Sequence, residues 1–303
     1  MMLNLFLVSV FVFAMLRLVP GDPALAILGE TSTAEQAAAF RAEFGLNRSP
    51  VEQYVDWSTG LLTGDLGRSL RSGQNVTKDF FSRLPITLEI VLLSFMVTTA
   101  LGITFGILAA RHQNGASDMF VRIFATLAIA LPNFVLLTLL LIIPARMFNY
   151  APPFGATDPF ESPLENLRLF LPPTMVLALG SAAILMRFTR SGFLEVMRQD
   201  YIRTARSKGL NERVVTLRHA LRNALPPVMT LAGLQLGGLL SGSVILERVM
   251  SLPGLGSWTL QAVEFKDYPV VMVVALYTAM TIMLINLAID MAYALVDPRI
   301  RVT

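Results

Sequence analysis

Nine cationic side chains fall between Met186 and Pro227: Arg187, Arg190, Arg198, Arg203, Arg206, Lys208, Arg213, Arg218 and Arg222. Glu195, Asp200 and Glu212 are the only acids among them. This density of fixed charge suits docking and topology rather than bond-making. No group for covalent chemistry stands beside it. The chain has no Cys, which excludes thiol catalysis, disulfides and Cys metal sites. Its two His, His112 and His219, are far apart in sequence, so no His metal site is expected. No GxxxxGK[ST] loop is present, so the chain is not expected to hydrolyse ATP on its own. No Ser, His and acid grouping stands at a usable spacing. The expectation is therefore no catalytic residue, no metal and no cofactor held by this chain.

A second set of ionisable groups lies within or beside apolar runs: Glu89, Arg146, Glu247 and Asp290. A charge at the centre of a bilayer costs about 2.5–3.5 kcal/mol on insertion scales, so such a group faces a partner, a cavity or the interface. Glu89, Arg146 and Glu247 sit close to run ends and read as solvated at the interface. Asp290, one turn after Asn286, forms a polar stripe with it on one helix face. That stripe reads as hydrogen bonding between helices rather than substrate contact.

The elements that must hold these residues are membrane spans. Hydrophobic residues make up 54% and charged residues 15%, with a mean hydropathy of +0.61. Soluble domains carry about 25% charged residues. The apolar runs predict an all-α integral membrane protein with six spans. The first occupies residues 1–19, read as an uncleaved helix although Ala24-Leu25-Ala26 resembles a cleavage site. The others fall at about 86–110, 119–148, 172–186, 227–246 and 269–296, within a core of 86–296. Pro132 and Pro144 should kink the third. Residues 149–171 are acidic through Asp158, Glu161 and Glu165, compatible with the outside. Gly233, Gly237, Gly238 and Gly242 form two GxxxG spacings that predict close packing in the fifth span.

Between the first two spans, residues 20–85 read as a small extracytoplasmic cap. Thr33 with Gln36 and Ser49 with Glu52 are capping boxes, and Pro50 takes the first helical position. These two helices are expected to stop at Gly45 and near Gly60, and residues 64–69 read as a turn. Leu252-Pro-Gly-Leu-Gly256 reads as another tight turn outside the membrane.

Positive charge near span ends resists translocation, so loop 187–226, the 111–118 connector and the tail 297–303 are placed in the cytosol, with both termini on that side. Nucleic-acid binding is not expected, since topology already accounts for the basic residues. Helix formers and Gly209 predict a short helix from about Gln199 to Lys208. On physics alone the loop is either a solvated segment that fixes topology or a docking helix for a cytosolic motor.

Asp200-Tyr-Ile-Arg-Thr-Ala-Arg-Ser-Lys-Gly209, followed by Arg218-His-Ala-Leu-Arg-Asn-Ala-Leu-Pro226, resembles the cytoplasmic signature of binding-protein-dependent ABC permeases. Arg17-Leu-Val-Pro-Gly-Asp-Pro23, Gly64-Asp-Leu-Gly-Arg-Ser69, Leu252 to Gly256 and the tail from Asn286 to Arg301 resemble the dipeptide, oligopeptide, nickel and glutathione branch. The motif order is similar to that of the first permease of a heterodimeric pair. The resemblance implies the type I ABC importer fold in a bacterial cytoplasmic (inner) membrane. It implies a homologous second permease, two ATPase subunits that carry ATP and Mg, and a substrate-binding protein. Asp200, Tyr201, Arg203, Thr204, Ala205, Arg206, Lys208 and Gly209 would couple to an ATPase. Pro253, Gly254 and Gly256 would meet the binding protein, and Asn286, Asp290 and Glu247 would be structural or pathway groups. Short peptides are the implied solute, with nickel chelates, opines or sugars as alternatives. A stand-alone secondary transporter or a membrane scaffold is the alternative of another class.

Overall fold

The computed structural model describes residues 2–29, 31–150 and 160–296, with side chains as far as residue 289 together with Met291. Asp158, the side chain of Asp290 and the tail 297–303 with Arg299 and Arg301 lie outside the described residues. The regular secondary structure of the described residues is helical, apart from one isolated bridge between Arg68 and Asn75. It divides into two compact units, residues 1–87 with 253–283 and residues 88–252 with 284–303.

In the first unit, α1 (Met2–Leu18) presents most of its apolar side chains outward and buries Ser9 and Phe13. The Phe13 ring meets Tyr54 edge-on at 5.3 Å, and Ser9 Oγ hydrogen bonds Tyr54 OH at 2.8 Å. Arg17 hydrogen bonds Gln53 and stacks on Phe13 at 4.7 Å. Asp22 caps α2 (Pro23–Leu28) by accepting from the Ala24 N–H at 2.9 Å, and it also holds Arg41. Both capping boxes form, opening α3 (Ala34–Glu43) and α4 (Pro50–Thr63). Gly45 ends the first, as expected. The second runs past Gly60 to a left-handed Gly64. The unit closes on α12 (Leu255–Glu264) and on the beginnings of α5 (Val76–Arg111) and α13 (Tyr268–Val296). Val76, Phe80, Leu255, Trp258, Ala262, Val270 and Val274 form its core.

The turn between α12 and α13 is the polar hub of this unit. Lys266 takes a left-handed φ of 56° and its ammonium reaches the Pro20 carbonyl. Asp267 is buried and accepts from Ser69 Oγ and from the Leu70 N–H at 3.0 Å, tying the 64–69 motif down.

In the second unit, α8 (Pro163–Met197) is the central helix. It extends well beyond the 172–186 run and takes in Glu165, with Pro172 and Pro173 inside it. On one side it meets α5, where Ser94 and Thr98 hydroxyls donate to the Thr174 and Ala178 carbonyls. Gly102 and Gly106 make that approach close. A Cβ at Gly106 would lie 2.6 Å from Thr189 Cβ and 2.9 Å from the Met186 carbonyl oxygen. On another side it meets α11 (Leu221–Val249), whose Gln235 donates to the Ser181 carbonyl at 3.2 Å. The expected tight packing of the fifth span is half present. A Cβ at Gly233 or Gly242 would strike Ile289 or Leu177, whereas Gly237 and Gly238 face open space.

The third apolar run is two helices, α6 (Ala116–Ala130) and α7 (Asn133–Phe148), bent by 95° at the break between them. Pro132 has no N–H to donate and pushes Leu131 into extended backbone (φ −94°, ψ 123°), which ends α6. Pro144 is accommodated inside α7. Among the described residues four helices are long and apolar enough to cross a bilayer, five if the bent pair counts as one, and α1 is shorter.

Candidate functional site

The charged segment folds as predicted for a helix closed by glycine. After α8, Arg198 and Gln199 turn the chain into α9 (Asp200–Ser207). The Gln199 carbonyl accepts from the Ile202 and Arg203 amides. Gly209, at a left-handed φ of 76°, ends the helix, and its N–H donates to the Arg206 carbonyl at 2.9 Å. α9 has two unlike faces. Ile202 is fully buried and Ala205 nearly so, packed with Phe193, Ala110, Val215 and Ala224. Asp200, Tyr201, Arg203, Thr204, Arg206, Lys208 and Gly209 are exposed. Of the eight predicted coupling residues, Ala205 alone is buried.

The exposed cations differ in how free they are. Arg206 is engaged within the chain, donating from Nε and Nη2 to Glu212 at 3.2 and 2.7 Å. That hydrogen-bonded pair lowers the Glu212 pKa below the usual carboxylate range and raises that of Arg206. Glu212, which is not among the expected coupling residues, joins α9 to the segment after Gly209 through this half-exposed pair. Arg203 approaches Asp200 at only 3.4 Å, with both side chains largely exposed, so that pair adds little rigidity. Lys208 forms no ion pair among the described residues. Beyond the loop, α10 (Glu212–Val214) leads into a π-helical stretch, Val215–Ala220, and then α11. Leu210, Val214 and Leu217 expose apolar surface beside the charged face.

The structure also joins two residues that no sequence signal linked. Asp118, at the start of α6, is fully buried and receives Arg190 of α8 at 2.6 and 2.8 Å. Asp118 also accepts from the Asn114 amide at 2.9 Å and lies 3.7 Å from Arg122. The Arg190 hydrogen bonds hold the Asp118 carboxyl at a pKa of about 2 despite its burial. The pair ties α6 to the part of α8 that feeds α9.

The remaining predicted groups are scattered. Glu247 is fully buried in α11, not solvated at an interface as its position near the run end implied. Arg146 is exposed, Glu89 half-buried, and Asn286 exposed on α13. Pro253 is at the surface, but Gly254 and Gly256 are buried at the start of α12, where the Leu255 amide donates to Thr87 Oγ1 at 2.8 Å. Any surface contact at this motif rests on Pro253 rather than on the glycines.

Known proteins carry the same organisation. Residues 102–302 match the family described as binding-protein-dependent transport system inner membrane component, and residues 1–91 match the N-terminal component of such systems. A putative peptide transport permease of Brucella abortus (strain 2308) is 39% identical over 97% of this chain and 94% of its own. The glutathione permease GsiC of Pectobacterium atrosepticum is 37% identical over 98% and 95%. The dipeptide permease DppB of Escherichia coli K12 is 35% identical over 97% and 94%. A solved structure of the MetNI methionine ABC transporter, inward facing, covers 72% of this chain and 96% of its own at 19% identity with a TM-score of 0.55, which shows a shared fold. Helices long enough to cross a bilayer, the two unlike faces of α9 and these likenesses converge: the chain belongs to the binding-protein-dependent inner membrane components, as an ABC permease of the peptide-importer family.

Proposed function

We propose that this chain supplies half of an ATP-driven import pathway for short peptides, with α9 as the element an ATPase grips. Two features support the docking role: α9 is seated on a buried foot of Ile202 and Ala205 and offers Tyr201, Arg203 and Lys208 outward. The partners are a second, homologous permease and two ATPase subunits that hold ATP and Mg. A delivery protein meets the opposite side, where Pro253 is exposed. In this reading α1 and the bent α6–α7 pair complete six spans, residues 20–85 form the extracytoplasmic cap, and both termini lie in the cytosol. Peptides are favoured as cargo because the relatives above are peptide, dipeptide and glutathione permeases.

The mechanism is a population shift. ATP must stabilise the outward-open arrangement more than the resting one, or its binding moves nothing. α9 transmits that difference because its apolar foot belongs to the same packed cluster as α8 and the start of α11.

The test is uptake of labelled dipeptide into proteoliposomes holding both permeases and the ATPases, with the delivery protein supplied. ATP-dependent uptake that vanishes without the delivery protein is expected. Uptake by this chain alone under an ion gradient would instead establish a secondary transporter.

A further inference from the structure

A cavity of about 380 Å³ opens in the first unit between the 69–74 turn, the start of α5 and α12. Two guanidiniums border it. Arg71 lies over the Phe265 ring, 3.9 Å from its centroid, and donates to Gln261 Oε1 at 3.2 Å. Arg83 lies over the Trp258 ring at 5.2 Å, and its Nε is buried with no hydrogen-bond partner among the described residues. Two carboxylates border it as well. Asp267 is already committed, one oxygen to Ser69 Oγ and the other to the Leu70 amide. Asp79 is not.

Asp79 and Arg83 stand four residues apart on α5, the spacing at which opposite charges close on a helix surface. Asp118 and Arg122 have that spacing and do approach, to 3.7 Å. Asp79 and Arg83 form no ion pair among the described residues, because Arg83 is held against Trp258. An unspent cation and an unspent carboxylate therefore border one space, their Cβ atoms about 5–6 Å apart. Buried donors are normally satisfied and the Arg83 Nε is not, while the residue itself lines the cavity, so its positive charge faces this space without an anion among the described residues. The volume lies near the lower end of the range for small-molecule sites, about 300–1,000 Å³.

We infer that this cavity binds a short zwitterion, its carboxylate on Arg83 with Arg71 alongside and its ammonium on Asp79. Naming a free short peptide as the natural ligand rests on the import reading above; the charge pattern itself does not. The site would hold peptide at the cap before it enters the pathway.

The experiment titrates L-alanyl-L-alanine by calorimetry into the full transporter complex in nanodiscs without delivery protein. Saturable binding is expected. N-acetylated dialanine and dialanine amide, each lacking one charge, should bind at least tenfold more weakly to the unaltered complex, which needs no variant. Arg83→Gln and Asp79→Asn should each weaken dialanine at least tenfold, and Arg83→Lys should lose less. Absence of binding, equal binding of the three compounds, or binding unchanged in both variants overturns the site. If the complex still imports peptide with its delivery protein in those cases, only the site falls. If import fails while dialanine binds with the expected selectivity, only the import reading falls.

Discussion

Asp118 shows what a single residue contributes and what a sequence hides. It reads as one acid in a basic connector, and its partner Arg190 lies 72 residues away. Burial of the carboxylate is offset by a bidentate guanidinium that is itself only 20% exposed. Removing one partner of such a pair strands a buried charge, so Arg190→Met should cost about 3–5 kcal/mol in thermal unfolding of the purified permease. The pH dependence has a definite sign. The folded pKa is depressed, from 3.8 to about 2, so the stabilisation is complete above about pH 4 and is lost as pH falls towards 2. It amounts to about 2 kcal/mol. Melting temperature followed from pH 5 to pH 2 should drop more steeply in the unaltered protein than in Asp118→Asn. The burial of Glu247 is hidden in the sequence for the same kind of reason: nearness to the end of an apolar run does not reveal that a helix continues and buries it.

At the scale of elements, legibility followed locality. The capping boxes at Thr33 and Ser49 and the Gly209 stop are written in neighbouring residues, and all three form. Gly209→Ala should destabilise the end of α9 by about 1–2 kcal/mol, since its left-handed φ penalises any Cβ although the space is open. Faster amide hydrogen exchange across α9, with the rest of the chain unchanged, would check this. Elements shaped by distant packing were not legible. The GxxxG pattern of α11 is visible in the sequence, yet Gly102 and Gly106 of α5 have the same spacing and approach α8 as closely, Gly106 down to the Met186 carbonyl. Spacing marks which backbones could approach, and only the fold decides which do. The right-angle break at Pro132 was visible as a proline but not as 95°, because the angle depends on what α7 packs against. The π-helical stretch 215–220 left no signal.

For the whole molecule, the family was readable because its motifs are strung along the chain in order, whereas the division into two compact units was not. The central claim is that the exposed face of α9 is gripped by an ATPase in the cytosol. The chain contains no Cys, so a single cysteine can be introduced at Thr204 without removing any other. The most direct measurement is crosslinking from Thr204→Cys to single cysteines on the ATPase surface, in membranes of the assembled transporter, with and without ATP. The account predicts a crosslink to the ATPase whose yield changes with nucleotide. A complex that still transports while position 204 never crosslinks, or is labelled by an impermeant thiol reagent from the outside, would contradict it.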